Sequence, residues 1–103
     1  MEINEYSGVQ LLQAMTEGKI PQPTMGSTMN MALDSAEYGL VRFEATASNT
    51  HLNPMGGVHG GFASTVLDSA TGCAVHSALE PGESYGTVDL NVKMMRPVPL
   101  DVK

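Results

Sequence analysis

The chain has 103 residues, of which 42% are hydrophobic, and a net charge of −6. This length accommodates one globular domain, residues 1–103, with a core of modest size. Only 5 Lys and Arg residues stand against 11 Asp and Glu, so the composition argues against a nucleic-acid-binding surface, which requires clustered positive charge.

Two further features of the sequence indicate the cellular compartment of the protein. The first residues lack the positive charge and apolar run of a signal peptide, and no apolar segment approaches the ~20 residues that cross a membrane. The only cysteine, Cys73, has no second cysteine with which to form an internal disulfide, which is compatible with a reducing compartment. We therefore expect a cytoplasmic protein that does not bind membranes.

The first half of the chain predicts a helix followed by two strands. Asn4 or Ser7 can cap a helix that Gly18 ends, and residues 19–26 form a connector with two prolines. Apolar and polar residues then alternate over 27–35, which predicts a half-buried strand. After a turn at residues 37–39, alternation from Val41 to Ala47 predicts its antiparallel partner.

The second half predicts a long helix and a third strand. Phe62–Leu79 contains no proline and one glycine, and its apolar residues recur with a helical period. Glu80-Pro81-Gly82 makes a turn, and alternation over 87–94 predicts a strand within Tyr85–Arg96.

The predicted long helix has two different faces. One carries Asp68 among mostly small residues: Gly61, Ser64, Thr65, Thr71, Gly72 and Val75. The other forms a core stripe: Phe62, Ala63, Val66, Ala70, Cys73 and Ala74. We expect the second face to pack and the first to contact a ligand or a partner.

A glycine-rich run, Asn53-Pro-Met-Gly-Gly-Val-His-Gly-Gly61, precedes this helix. Such glycines allow a ligand to approach the first free backbone N–H groups, where the helix dipole favours negative charge. Asp68 lies about 12 Å along the helix axis from Gly60 at ~1.5 Å per residue. Within one chain this gap is too long for both groups to serve one small reacting group, unless the substrate is long. A second, antiparallel copy of the helix would bring the two groups together, which predicts a site shared by two chains.

The run 53–61 followed by Asp68 resembles the signature of the hotdog-fold acyl-CoA thioesterases of the phenylacetate-pathway (PaaI-like) type. The order of helix, strand pair, signature, long helix and strand is also similar to that family. The resemblance implies an α+β hotdog fold, in which an antiparallel sheet wraps around a long central helix. Its members have two or three further strands, so we expect a truncated domain that lacks the C-terminal strands.

The resemblance also implies a reaction and its residues. The reaction is hydrolysis of an aromatic or medium-chain acyl-CoA to a carboxylic acid and free CoA, with no metal and no cofactor besides the CoA of the substrate. Asp68 would act as general base or nucleophile, the Gly60 N–H would hold the oxyanion, and the Asn53 amide would orient the carbonyl or the water. Thr87 would support the carboxylate or the water, and His59 would fix the turn.

An exposed sheet edge invites pairing with another chain, and relatives join two sheets edge to edge. We therefore expect a homo-oligomer, either a dimer or a dimer of dimers. Two other functions stay open: an acyl-CoA-binding domain without turnover, which would not need Asp68, and a self-associating fragment without activity.

Each candidate residue also has a purely structural interpretation. Asp68 could lie on a solvated polar face, His59 could cap the helix, and Asn53 could form an Asx-turn. Thr87 could be an ordinary outward-facing strand residue. Two other histidines, His51 and His76, are expected at the surface, and Cys73 with His76 has too few neighbouring ligands for a zinc site.

Overall fold

Five elements follow one another in the computed structural model, which describes residues 5–103. They are α1 (Gly8–Thr16), α2 (Met25–Met29), β1 (Met31–Glu37), β2 (Leu40–Ala45) and α3 (Gly60–His76). In this described part of the chain, no helix is both long and apolar enough to cross a membrane.

Helix α1 begins and ends where the sequence predicts. The Ser7 side chain accepts a hydrogen bond from the Gln10 N–H, and the Gln10 side chain accepts one from the Ser7 N–H, which completes a capping box. Gly18 has φ +75°, a conformation that glycine adopts without strain just beyond a helix end. Asn4, the alternative cap, lies outside the described residues.

The strand predicted over 27–35 is wrong in its first part. Residues Met25–Met29 form the short helix α2, and Asn30 ends it in the left-handed region at φ 49°. The strand begins only at Met31, and the alternation is confirmed from there, since Met31 and Leu33 are buried. A few alternating residues specify a strand only weakly, because a short helical turn leaves the same side chains half exposed.

Strands β1 and β2 form an antiparallel hairpin through a tight turn at Gly39, where φ is +78°. The register runs from Met31 opposite Ala45 to Glu37 opposite Leu40, with a bulge between Leu33 and Ser35. The bulge inserts one residue, so the core face passes from Leu33 to Ala36. The second predicted strand is thus confirmed, although it ends at Ala45.

Both longer helices pack against one face of this hairpin. Leu12 of α1 packs on Leu33 and Ala36 of β1, and Cys73 of α3 joins the same cluster. The partly buried side chains around the cluster are Met15, Val41 and Phe43. The core therefore lies between the hairpin and the two helices, and it holds α3 in place.

The end of α3 is fixed by hydrogen bonds to two other elements. Ser77 is 1% exposed, and its Oγ accepts from the Gly39 N–H at 2.8 Å and donates to the Ala74 carbonyl at 2.7 Å. The Gly8 N–H donates to the Leu79 carbonyl at 2.8 Å. The hairpin turn and the start of α1 are thus both attached to the chain just after α3.

The strand predicted over Tyr85–Arg96 is not part of the sheet. Within residues 5–103 the sheet has two strands, and 85–96 pairs with neither. Instead, Tyr85 and Thr87 lie against α3. Alternation is a property of the segment alone, whereas a sheet strand also needs a neighbour with free backbone groups.

We expect Gly8→Ala to lower the free energy of unfolding by about 1–3 kcal/mol, because a Cβ at position 8 would overlap the carbonyl oxygen of His76. Gly86→Ala is the matched control, since a Cβ there meets no atom within 4 Å. Urea denaturation of both variants measures the difference. Equal stability would show that α1 and α3 do not approach so closely.

Candidate functional site

The glycine-rich run begins with a closed loop. Leu52 and Val58 form an isolated antiparallel bridge, and the Asn53 N–H donates to the Gly57 carbonyl at 2.8 Å. The Asn53 Oδ1 accepts from the N–H groups of Met55 at 2.9 Å and Gly57 at 3.2 Å. This is the Asx-turn arrangement, which occupies the carbonyl oxygen and leaves the amide NH₂ as the group that a ligand could contact.

His59 caps α3. Its backbone is extended, with φ −62° and ψ 135°, and its Nδ1 accepts from the Gly61 N–H at 2.8 Å. The cap makes Gly60 the first helical residue, and none of the described residues accepts a hydrogen bond from its N–H. Gly60 and His59 line a cleft of about 290 Å³.

Gly60 is also a point of close approach. A Cβ added there would lie 3.2 Å from the Cε of Met94, which lines the same cleft. The absence of a side chain therefore lets the segment after α3 lie directly beside the helix start.

His51, which was predicted to be a surface residue, connects several segments of this region by hydrogen bonds. Its Nε2 donates to the Thr28 carbonyl at 2.9 Å, and its Nδ1 accepts from the Ser48 N–H at 2.9 Å. The His51 carbonyl accepts from the His59 N–H at 2.8 Å, and its ring lies 4.8 Å from that of Phe62. Thr28 lies 23 positions from His51 in the sequence, so no local motif predicts that contact.

Asp68 accepts a hydrogen bond from Thr87. The Thr87 Oγ1 lies 2.8 Å from the Asp68 Oδ1, so the structure brings together two candidate residues that are 19 positions apart. Both line a cavity of about 290 Å³ between α1, the hairpin and α3. Much of the remaining lining is apolar and includes Leu12, Leu33 and Phe43.

Tyr85 packs on α3 and so helps to position Thr87 beside Asp68. A Cβ on Gly72 would lie 2.7 Å from the Tyr85 hydroxyl, so the tyrosine occupies the space that this glycine leaves. Burial raises the pKa of Tyr85, and the nearby Cys73 and Asp68 add to the rise. Gly72 was predicted on the helix face that carries Asp68, which we expected to contact a ligand or a partner. It is buried instead, because Tyr85 covers it.

His76 is half-buried rather than a surface residue. It lines the cavity that contains Asp68, and its ring lies edge-on to Tyr85 with centroids 5.8 Å apart. Burial lowers the pKa of His76 and raises that of the Cys73 thiol, which favours the neutral form of both.

The candidate residues fall into two groups within the chain. Asp68 and Thr87 line the cavity, whereas His59 and Gly60 line the cleft at the start of α3. The Asp68 carboxylate can accept a hydrogen bond from a water or attack a carbonyl carbon, and the Gly60 N–H can donate to an oxyanion. Among residues 5–103, no three His, Cys, Asp or Glu side chains are grouped so that they could hold a metal ion.

The chain is similar in sequence and in structure to known proteins. Residues 55–103 match the model of the thioesterase superfamily. The acyl-coenzyme A thioesterases 13 of Homo sapiens and Pongo abelii are each 30% identical to the chain over 91 residues, or 88% of this chain and 62% of theirs. The crystal structure of a phenylacetic acid degradation-related protein from Ralstonia eutropha JMP134 matches with a TM-score of 0.78 and 29% identity, covering 87% of this chain and 70% of that one.

These similarities confirm the family resemblance and the hotdog fold that the motif implies. The chain spans less than two thirds of the length of the two acyl-coenzyme A thioesterases. The described residues contribute one hairpin and the long helix to that fold.

We expect His59→Ala to destabilise the protein by about 0.5–2 kcal/mol, because the Gly61 N–H loses its acceptor at the start of α3. His59→Asn should restore most of this stability, since an asparagine oxygen caps helices well. Chemical denaturation of the two variants tests the cap. Equal stability of His59→Ala and the unmodified protein would mean that the imidazole does not cap the helix in solution.

Proposed function

We propose that this chain, a relative of the PaaI-like hotdog thioesterases, is the core of an acyl-CoA thioesterase that releases a carboxylic acid and free CoA. The observation that carries the proposal is the hydrogen bond from Thr87 to Asp68 at the wall of a largely apolar cavity. A carboxylate fixed beside such a cavity can act on a thioester whose acyl group the cavity binds.

Asp68 is the reactive group of the proposal. Thr87 holds its Oδ1, which orients the carboxylate and leaves Oδ2 available to the reactants. As a general base, Asp68 removes a proton from water while the water attacks the thioester carbonyl. As a nucleophile, it forms a mixed anhydride that water then hydrolyses. Both routes expel CoA and require the same fixed carboxylate, without a metal or a redox cofactor.

The start of α3 supplies the complementary charge. The Gly60 N–H would donate to the thioester oxygen as it becomes negative, and the helix dipole adds to this stabilisation. His59 already accepts from the Gly61 N–H, so the cap fixes the direction of the first helical turn. We propose the amide NH₂ of Asn53 as a second donor, since its Oδ1 is already occupied by the N–H groups of Met55 and Gly57.

A complete site requires two chains in this proposal. Asp68 and Gly60 line different spaces and are eight residues apart on one rigid helix, about 12 Å along its axis. An antiparallel partner helix would bring the Gly60 of one chain to the Asp68 of the other. We therefore propose a homodimer, alone or paired into a dimer of dimers, as the active form.

The acyl group is proposed to be aromatic or medium-chain. A cavity of about 290 Å³ with Leu12, Leu33 and Phe43 in its wall favours an apolar group of limited size. Acyl-CoA binding without turnover is the alternative function, and it would use the same cavity. The alternative gives no reason for a hydrogen-bonded carboxylate in an apolar wall, because such a group weakens apolar binding.

We expect Asp68→Asn to lower kcat by at least ~10²-fold, because the amide keeps the shape of the side chain but is not a base. Thr87→Val should lower kcat by about tenfold, and Thr87→Ser, which keeps the hydroxyl, is its matched control. Thiol release from a panel of acyl-CoA substrates by the protein and its variants measures these effects. Near-normal turnover by Asp68→Asn would remove this residue from the mechanism.

A second test asks whether the site is shared. Gly60→Pro removes only the proposed oxyanion donor, since proline is tolerated at the first position of a helix, and it should lower kcat by ~10²–10³-fold. Gly60→Ala is the control, because it adds the same Cβ near Met94 but keeps the N–H.

Mixing Asp68→Asn chains with Gly60→Pro chains should then restore about a quarter of normal activity, because half of the dimers are mixed and each has one intact site of two. Subunit exchange is verified by mass spectrometry with one isotope-labelled chain. Exchange without recovered activity would place Gly60 and Asp68 of the same chain in one site.

A further inference from the structure

A second space adjoins the cavity that Asp68 lines. This space, which we call the edge groove, is an open groove of about 510 Å³ beside the first residues of β1 and the last residues of β2. Four residues line both the edge groove and the Asp68 cavity: Gln22, Pro23, Gly26 and Met31. These residues therefore form the wall that separates the two spaces.

Gln22 attaches this wall to the hairpin. Its Nε2 donates to the Leu33 carbonyl at 3.0 Å, and its Oε1 accepts from the Leu33 N–H at 2.9 Å. A neighbouring strand would make the same two bonds, so the side chain takes the place of a strand at this edge of β1. In the described part of the chain, no other hydrogen bond connects residues 21–26 with the hairpin.

The segment around Gln22 has few other means of attachment. Pro21 and Pro23 flank it and have no N–H group to donate. Met25 is 49% exposed although it lines the Asp68 cavity, so one layer of residues separates the cavity from solvent at this point. The position of the wall therefore depends on the two hydrogen bonds of Gln22.

We propose, on the basis of the function proposed above, that Gln22 limits the length of the acyl chain that the protein accepts. While both bonds to Leu33 are made, the wall closes the Asp68 cavity, and an acyl chain extends no further than Gln22 and Pro23. When the bonds are lost, the wall moves and the cavity opens into the edge groove, which accepts the rest of a longer chain.

The closed position is the stable one. Leu33 is 4% exposed, and its backbone N–H and carbonyl groups would lose their partners if the Gln22 side chain moved away. Both polar atoms of Gln22 are occupied by Leu33, which leaves its methylene groups as the part that contacts an acyl chain. Gln22 is therefore a specificity-determining residue that favours acyl chains of medium length.

The test measures binding, so that it does not depend on turnover. S-hexyl-CoA and S-dodecyl-CoA, thioethers that have no carbonyl to hydrolyse, are titrated calorimetrically into the protein. We expect the two compounds to bind within about threefold of each other, because the closed wall keeps the additional methylene groups out of the cavity. Gln22→Ala should bind S-dodecyl-CoA at least ~10-fold more tightly than S-hexyl-CoA, because each methylene group that becomes buried strengthens binding by about fourfold.

Two more variants separate opening of the wall from a general loss of stability. Gln13→Ala is the matched control, since the Gln13 Nε2 also donates to β1, at the Ala36 carbonyl at 3.0 Å, but Gln13 does not line the cavity. It should keep the binding pattern of the unmodified protein. Gly26→Ala should open the wall independently of Gln22, because a Cβ at position 26 would lie 2.8 Å from the Met31 carbonyl oxygen.

Each result decides the proposal. A gain for S-dodecyl-CoA in Gln22→Ala and Gly26→Ala that is absent from Gln13→Ala supports it. A preference of about tenfold in the unmodified protein, a folded Gln22→Ala or Gly26→Ala protein without the gain, the same gain in Gln13→Ala, or no binding of either compound overturns it. Failure of both Gln22→Ala and Gly26→Ala to fold also overturns it, since the wall would then be an essential part of the core.

Failure of the hydrolytic function would appear separately, as absence of thiol release from acyl-CoA by the unmodified protein. A confirmed effect of Gln22 on chain length would then stand as a property of acyl-CoA binding.

Discussion

The attachment of the C-terminal end of α3 is the constraint on which the rest of the structure depends. Ser77 accepts the Gly39 N–H of the hairpin turn, and the Leu79 carbonyl accepts the Gly8 N–H at the start of α1. Buried backbone groups must find partners, so these bonds fix where both elements meet α3. Because Gly60 and Asp68 belong to this helix and Thr87 bonds to it, the orientation of α3 determines the geometry of the contacts proposed for them.

A single helix, α3, carries both proposed reactive groups, and its rigidity keeps them apart. The donor groups belong to its first turn, where unpaired N–H groups occur in any helix, and the carboxylate lies two turns further on. Bending α3 to join them would disrupt its hydrogen bonds and its packing through Cys73 on the core. In the proposed dimer, two antiparallel helices would bring these groups together without bending α3. The separation of Gly60 and Asp68 on α3 is therefore the reason why the proposed reaction requires the proposed dimer.

Local signals in the sequence predicted most of the framework. The Ser7 cap, the hairpin turn at Gly39 and the long helix all follow from residues a few positions apart. The family motif pointed to Asp68 and Thr87 as neighbours, which periodicity alone does not imply. The family match and the hotdog fold were likewise available from the motif.

What the sequence did not predict depends on contacts between distant residues. The bonds of His51 reach Thr28, and the environment of His76 comes from Tyr85 and from α1. A lone histidine in a sequence has no pattern from which such partners follow. The left-handed Asn30 that separates α2 from β1 is a similar case, because its conformation is stabilised partly by a hydrogen bond from its side chain to the Thr46 carbonyl.

The segment after α3 shows how side-chain packing can replace a sheet in positioning a residue. Tyr85 fills the space above Gly72, and Met94 fills the space beside Gly60. The segment therefore packs on α3 at two glycines. Between them, Thr87 meets Asp68 at hydrogen-bonding distance. The same contacts connect the cavity beside Asp68 with the helix start, because a shift of this segment along α3 would move Thr87 and Met94 together. The two glycines of α3 therefore help to align the Asp68 carboxylate with the Thr87 hydroxyl, without hydrogen bonds between strands.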